Sequence, residues 1–186
     1  MPRQYFRALT YDPPVAAQTA VTGGTVIVAL WDAPNLTPLP ANVVQAGQMF
    51  KVTAYGIVTT AVTAAQTATF TPIFGTATGG TALGVSIAAP LEAKVFTTTQ
   101  WIAQMFVHFR TIGAAGTATC SGNIESLPFV GVAAGTAEGG SVPFGTASAT
   151  ATTVNTTVAS GLLLAVTPSL ATQNWQTMGV AMESLS

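Results

Sequence analysis

Apolar and polar residues alternate with a period of two through the middle of the chain. In "QMFKVTAYGIV", Phe50, Val52 and Ala54 fall on one side of an extended segment, and polar or aromatic residues lie between them. "TATFTPIFG" repeats the pattern with threonines between apolar residues, and in "WIAQMFVHFRT" every odd position from Trp101 to Phe109 is apolar. This is the period of pleated strands that bury one face. The even positions of the last segment should therefore point away from the core.

Glycine and proline turns separate further short β-rich segments along the chain. Turn signals recur roughly every 10 to 20 residues and predict about eight or nine strands. "GVAAGTAEGGSVPFG" is interpreted as a long flexible loop, and "AAPLEAKVF" as either a short helix or a turn. The threonine and β-branched content disfavours longer helices. We therefore predict an all-β fold, an antiparallel β-sandwich or jelly roll.

The N-terminal segment differs from the rest of the chain. Residues 1–22 carry Pro2, Pro13 and Pro14 among early arginines and aromatics. Proline fixes φ and removes a backbone donor, which suits an extended arm better than a central strand. We predict an extended N-terminal arm over residues 1–22 and a single β-sandwich domain over residues 23–186.

Composition adds a prediction about assembly. Of the 186 residues, only 6% are charged and 49% are hydrophobic, and the formal net charge is -1. Ordinary soluble domains have about a quarter charged residues, and charge repulsion keeps dissolved proteins apart. The chain should therefore associate with copies of itself. The near-zero net charge offers no field for nucleic acid.

Neither a signal-peptide pattern nor a membrane-spanning run is present in the sequence. The start "MPRQYFRAL" lacks an apolar core, and "GLLLAV" is far shorter than the roughly 20 residues that cross a bilayer. We expect synthesis in a cytoplasm and no membrane partner.

Catalytic chemistry has few candidates in this chain. His108 and Cys120 are the only histidine and the only cysteine, so they allow neither an internal disulfide nor a zinc site. A nucleophilic thiol needs a base within reach and a third orienting group. The hairpin "WIAQMFVHFRTIGAAGTATC" could bring the two side chains close, but an inert cysteine, buried or half-buried, is favoured. No P-loop or nucleophile elbow occurs. We expect no enzyme activity and no cofactor.

The remaining candidates are aromatic side chains and one pair of polar residues. Trp31, Tyr55 and Trp175 have three interpretations: sugar-stacking platforms, core residues or subunit-interface anchors, and the last two are favoured. His108 and Arg110 lie two apart on the outer face and would either bind an acidic partner or occupy an ordinary solvated or interface position. The predicted subunit-interface residues are Trp31, Tyr55, His108, Arg110 and Trp175.

Residues 45–127 resemble virion proteins of tailed bacteriophages. The matching elements are a "G-x-x-F-x-V-x-A-x-G" strand, a "G-G-T-x-L-G" turn, a "W-x-x-x-x-x-x-x-x-R-T-x-G" strand and a following "G-T" strand. They are similar to the jelly-roll heads of small structural proteins encoded among capsid genes. The resemblance implies a noncatalytic capsid decoration or cement protein, commonly a homotrimer on the outer surface of the head, where major capsid protein subunits meet.

For a protein of this kind, the N-terminal arm is the predicted shell-contacting segment. Cationic side chains would pair with acidic capsid surface while aromatics fill pockets; the alternative is a disordered terminus. The predicted contact residues are Arg3, Tyr5, Phe6, Arg7 and Tyr11. A tail or head-fibre subunit and a carbohydrate-binding adhesin remain as alternative functions on the same β scaffold.

Overall fold

The computed structural model describes residues 9–11, 21–22, 27–31, 37–60, 66–84, 86–129, 140–145 and 151–185. Every regular element in these ranges is a β-strand, and the strands are, in chain order: β1 (Leu9–Tyr11), β2 (Val21–Thr22), β3 (Val28–Ala29), β4 (Pro38–Leu39), β5 (Met49–Thr60), β6 (Gln66–Phe74), β7 (Thr81–Ala82), β8 (Ile87–Leu91), β9 (Phe96–Thr111), β10 (Gly116–Ser126), β11 (Gly140–Gly145), β12 (Thr152–Val154), β13 (Ser160–Pro168) and β14 (Gln173–Ser184).

The strands form two antiparallel sheets. The large sheet has the order β1-β14-β5-β9-β10-β11, with β2 also on β14 and β12 also on β10. The small sheet has the order β3-β13-β6-β7, with β4 also on β13 and β8 also on β6. Strands β5, β9, β10 and β14 are the longest, and they lie side by side at the centre of the large sheet.

Aromatic side chains join the two sheets in a single core. Phe70 of β6 meets Trp175 of β14 with ring centroids 5.3 Å apart, and Phe74 meets Phe109 of β9 at 5.6 Å. Both pairs are edge-to-face, an arrangement that stabilises aromatic contacts beyond simple area burial. The prediction of an antiparallel β-sandwich is confirmed, and eight described strands have five or more residues. The jelly-roll connectivity stays a prediction.

The period-two patterns lie where the sequence predicts them. Along β5, Phe50, Val52 and Ala54 are buried, and the residues between them are partly or fully exposed. Along β9, all odd positions from Trp101 to Phe109 are buried. The large sheet therefore buries one face against the small sheet and leaves the other face open.

The outer face of the small sheet is closed over part of its length. Leu162 and Phe74 are register partners on the inner side, so the neighbouring pair of Leu163 and Ile73 points outward. Both outward side chains are nevertheless buried, with 0% and 1% of their surface exposed. The chain thus covers this face at one end, while Thr67 of β6 and Ala88 and Pro90 of β8 are exposed at the other end.

Two interpretations of local sequence need correction. "SVPFG" is strand β11 rather than loop, because Val142 and Phe144 are buried while Ser141 and Pro143 between them are exposed. "AAPLEAKVF" contains no helix: Ile87–Leu91 is strand β8, and a turn follows it. The proline inside β8 is tolerated because the strand lies at an edge of the small sheet.

Two pieces of the N-terminal segment join the domain's own sheet. Leu9–Tyr11 pairs with Val180–Met182 of β14, and Val21–Thr22 pairs with Asn174 and Trp175 of the same strand. They cover part of the exposed edge of β14, as short edge strands do. The rest of the predicted arm lies outside the described residues.

Candidate interaction surface

The β9–β10 hairpin separates the histidine from the cysteine. His108 is the register partner of Thr119, and Cys120 is the partner of Val107. Because neighbouring residues of a strand point to opposite faces, Cys120 lies on the core side and His108 on the outer side. The arrangement gives Cys120 no histidine base, which a nucleophilic thiol would require.

The environment of Cys120 also suppresses thiolate formation. The side chain is buried, with 1% of its surface exposed. Desolvation by this burial raises the pKa of the Cys120 thiol from its ordinary 9.0 to about 12, since the apolar core disfavours the charged form. The thiol is therefore neutral at physiological pH, and the prediction of a buried cysteine is confirmed.

Trp31 and Trp175 are core residues. Trp31 is 1% exposed and donates its indole N–H to the backbone oxygen of Leu162 at 2.8 Å. Trp175 is fully buried and stacks on Phe129 with a centroid distance of 6.2 Å. A side chain without exposed surface has nothing to offer a partner or a sugar. Their assignment to the subunit interface is wrong, and the core alternative is correct.

Tyr55 remains available at the surface. It lies on the outer side of β5 with 47% of its surface exposed. Its ring lies over Gly179 of β14, where an added Cβ would come within 2.4 Å of Tyr55 Cε1. On its other side, its register partner is Ile102 of β9, which is 48% exposed. Tyr55 is thus one part of a larger apolar area.

That area belongs to the outer face, by which we mean the outward side chains of β14, β5, β9 and β10. Tyr55, Ile102 and Glu125 lie in one row across three strands. Thr53, Gln104 and Asn123 make the adjacent row, which is uncharged. The outer face therefore combines half-exposed apolar groups with polar groups that carry no charge.

Charged side chains lie at the two ends of the outer face. The upper end, where β5 begins and β9 ends, carries Lys51, Arg110 and Glu183, with His108 beside them. Among the residues that the structure describes, two cations and one carboxylate give this end a net charge of +1. His108 lies on the outer side as predicted, and Arg110 is exposed at the β-bulge that ends β9.

The lower end, where β9 begins and β10 ends, has the opposite balance. It carries Glu125 and, in the adjoining loop, Glu92 and Lys94. The backbone N–H of Glu92 donates to the oxygen of Pro128, which joins this loop to the end of β10. Counted over the described residues, two carboxylates and one cation give the lower end a net charge of -1.

A surface depression of about 470 Å³ lies at the lower end. Its lining residues are Gln100, Trp101, Ile102, Glu125, Ser126, Leu127, Gly140 and Ser141. Leu127 is 53% exposed here, beside the half-exposed Ile102. Asn123 holds the acidic group in place, because its Nδ2 donates to Glu125 Oε1 at 2.8 Å and to Ser141 Oγ at 3.1 Å. The depression thus presents a positioned carboxylate between apolar groups.

Comparison of the chain with known proteins gives no match. No family model, curated protein or solved structure matches. In the described ranges, no group of three His, Cys, Asp or Glu side chains is placed to hold a metal ion. None of the described segments is a helix long and apolar enough to cross a membrane. Function must therefore be argued from the surface.

Sequence reasoning found part of this surface. Tyr55, His108 and Arg110 lie on or beside it, and whether they contact another subunit stays a prediction. Among the predicted contact residues of the arm, Tyr11 of β1 pairs with Val180 of β14. The others lie outside the described residues: Arg3, Tyr5, Phe6 and Arg7. Sequence reasoning missed Glu125 and Leu127, whose place beside Ile102 depends on the hairpin register.

Proposed function

We propose that this chain is a noncatalytic structural protein of a tailed-phage virion, a capsid decoration protein that binds the outer surface of the head and stabilises the shell. The observation that supports this proposal is the open outer face. It offers half-exposed apolar side chains, among them Tyr55 and Ile102, on a chain with only 6% charged residues. Contiguous apolar patches on a soluble domain mark interaction sites. The sequence resemblance supplies the phage head as the partner.

Assembly would supply both the affinity and the mechanical effect of such a protein. The proposed state is a homotrimer that contacts major capsid protein where its subunits meet. Copies linked in one oligomer bind with an effective concentration that multiplies a modest affinity for each contact. A shell would then rupture only when several contacts break together, which is how decoration would oppose internal pressure.

The N-terminal arm is the proposed anchor on the shell. Removal of residues 1–8 deletes Arg3, Tyr5, Phe6 and Arg7 but keeps β1, whose pairing with β14 belongs to the folded domain. We expect the truncated protein to lose co-sedimentation with capsids stripped of decoration protein, while full-length protein binds and saturates. The far-ultraviolet circular dichroism and thermal unfolding of the two proteins should match. Undiminished binding by the truncated protein would remove the arm from the proposal.

Two experiments separate the head protein from its alternatives. Immunogold electron microscopy of virions should label the head, and label confined to the tail would favour a tail subunit. The adhesin alternative relied on Trp31, Tyr55 and Trp175, and burial of both tryptophans leaves it only Tyr55. Saturable binding on a glycan array, lost in Tyr55→Ala, would be needed to favour an adhesin.

A further inference from the structure

The two ends of the outer face are complementary in charge but cannot meet within one chain. Glu125 is level with Ile102, its register partner, and Arg110 lies eight residues further along β9. At about 3.3 Å per residue, the separation along the strand is roughly 26 Å. That is well beyond a Debye length of about 8 Å at physiological ionic strength. Any contact between the two ends must therefore come from different molecules.

Taken whole, the outer face approaches the size of a standard protein interface, and a contact between one end of each copy uses only part of that area. Its four central strands have 11 to 16 residues each. With neighbouring strands about 4.8 Å apart, they cover roughly 20 by 35 Å, or about 700 Å² before side-chain relief is counted. Standard protein interfaces bury about 800 Å² on each partner. The small sheet's outer face is open only in part, because Leu163 and Ile73 on it are buried.

The chemistry of the lower end fits the upper end of another copy. The depression offers a carboxylate that Asn123 already orients, so little side-chain freedom is lost when a cation binds it. Leu127 and Ile102 flank this carboxylate and would exclude water around the pair. An ion pair shielded in this way is stronger than one fully exposed to solvent.

We infer that the lower end of the outer face, with Glu125 between Ile102 and Leu127, receives the upper end of a second copy of this chain, with Arg110 and His108. The inference rests on the homo-oligomer of the proposed function but not on the phage head. It assigns the contact between copies to named side chains at opposite ends of one sheet face.

Charge reversal with rescue tests the contact in the full-length protein. Glu125→Arg and Arg110→Glu would each place like charges together, and we expect at least a tenfold larger dissociation constant for each by sedimentation equilibrium. The double variant restores an opposite pair with exchanged signs. Its dissociation constant should return to within about threefold of the wild-type value.

A matched control places the same new charge elsewhere. Thr81 is exposed on β7 of the small sheet, so Thr81→Arg should leave the assembly unchanged. Circular dichroism and thermal unfolding of each single variant must match the wild type for its loss of assembly to count. If either charge reversal proves unfolded, Glu125→Gln and Arg110→Gln replace the pair, and each should weaken assembly severalfold.

Two outcomes overturn the inference, and they differ in what else they overturn. An oligomer insensitive to both single variants, or a double variant no better than the single ones, removes this contact but keeps the proposed homo-oligomer. A wild-type protein that stays monomeric at all concentrations removes both. Binding to stripped capsids tests the phage head separately, because it does not depend on which side chains join the copies.

Discussion

At the scale of single residues, a β-bulge decides the chemistry of the β9–β10 hairpin. Thr111 and Thr117 are register partners, and continuing that register would place His108 opposite Cys120 on the same face. The bulge between Thr117 and Ala118 shifts the register by one residue, so that His108 faces Thr119 instead. A one-residue shift moves a side chain to the other face of a sheet. The bulge thus puts the thiol in the core and the imidazole outside.

The buried thiol predicts a specific dependence of stability on alkaline pH. The folded pKa of Cys120, about 12, lies above the ordinary 9.0, so the unfolded chain loses this proton first as the pH rises. The contribution to stability is complete below pH 9 and disappears between pH 9 and about 12. The free energy of unfolding should fall by about 1.4 kcal/mol per pH unit in that window from this group alone.

Urea unfolding of wild type and Cys120→Ala at pH 7, 9, 10 and 11 measures this effect. The alanine variant keeps every tyrosine and lysine, so it reports their alkaline titration alone. We expect the stability advantage of the wild type to shrink steadily above pH 9. Parallel pH profiles for the two proteins would contradict the buried neutral thiol.

At the scale of elements, the sequence predicts long strands better than short ones. Strands β5 and β9 each have a one-sided apolar pattern that only one buried face can satisfy. Strands of two or three residues, such as β3 and β12, carry no measurable period and form because a longer neighbour offers hydrogen bonds. The sequence did not predict β11, because glycine and proline, which are typical of loops, surround its two buried apolar residues. The register between neighbouring strands could not be predicted from the sequence either, because β-bulges have no clear sequence signature.

Close packing between two strands gives a prediction at this scale. Gly56 of β5 is the register partner of Trp101, and a Cβ there would lie 2.6 Å from the indole ring and 2.0 Å from the backbone oxygen of Gln176. Gly56→Ala should therefore destabilise the fold by about 1 to 3 kcal/mol, the range of overpacked cores. Thermal or urea unfolding measures the loss.

The matched control is Gly79→Ala in the turn before β7. A Cβ at Gly79 would meet no atom within 4 Å, so the stability should change by less than about 0.5 kcal/mol. Equal destabilisation by both substitutions would mean that lost backbone flexibility, not contact with Trp101, limits Gly56.

At the scale of the whole molecule, the sandwich is asymmetric. The outer face of the small sheet is partly covered by the chain, whereas the outer face of the large sheet is open and its described residues have opposite net charges at the two ends. Composition predicts association because 6% charged residues cannot cover the surface. It does not say where partners bind, because that depends on how the strands distribute the few charges. Only the register places Glu125 and Arg110 on opposite ends.

The contact between copies also yields a prediction about symmetry. In a closed ring, each upper end meets the lower end of the next copy. When Glu125→Arg and Arg110→Glu proteins are mixed in equal amounts, opposite charges meet wherever the two variants are neighbours. The variants can alternate around the whole ring only when it has an even number of members. A trimer always retains one like-charge contact. For the proposed homotrimer, native mass spectrometry of the mixture should show less assembly than the double variant at the same concentration. Full recovery in the mixture would contradict three-fold symmetry and indicate a two-fold or other even assembly through the same contact.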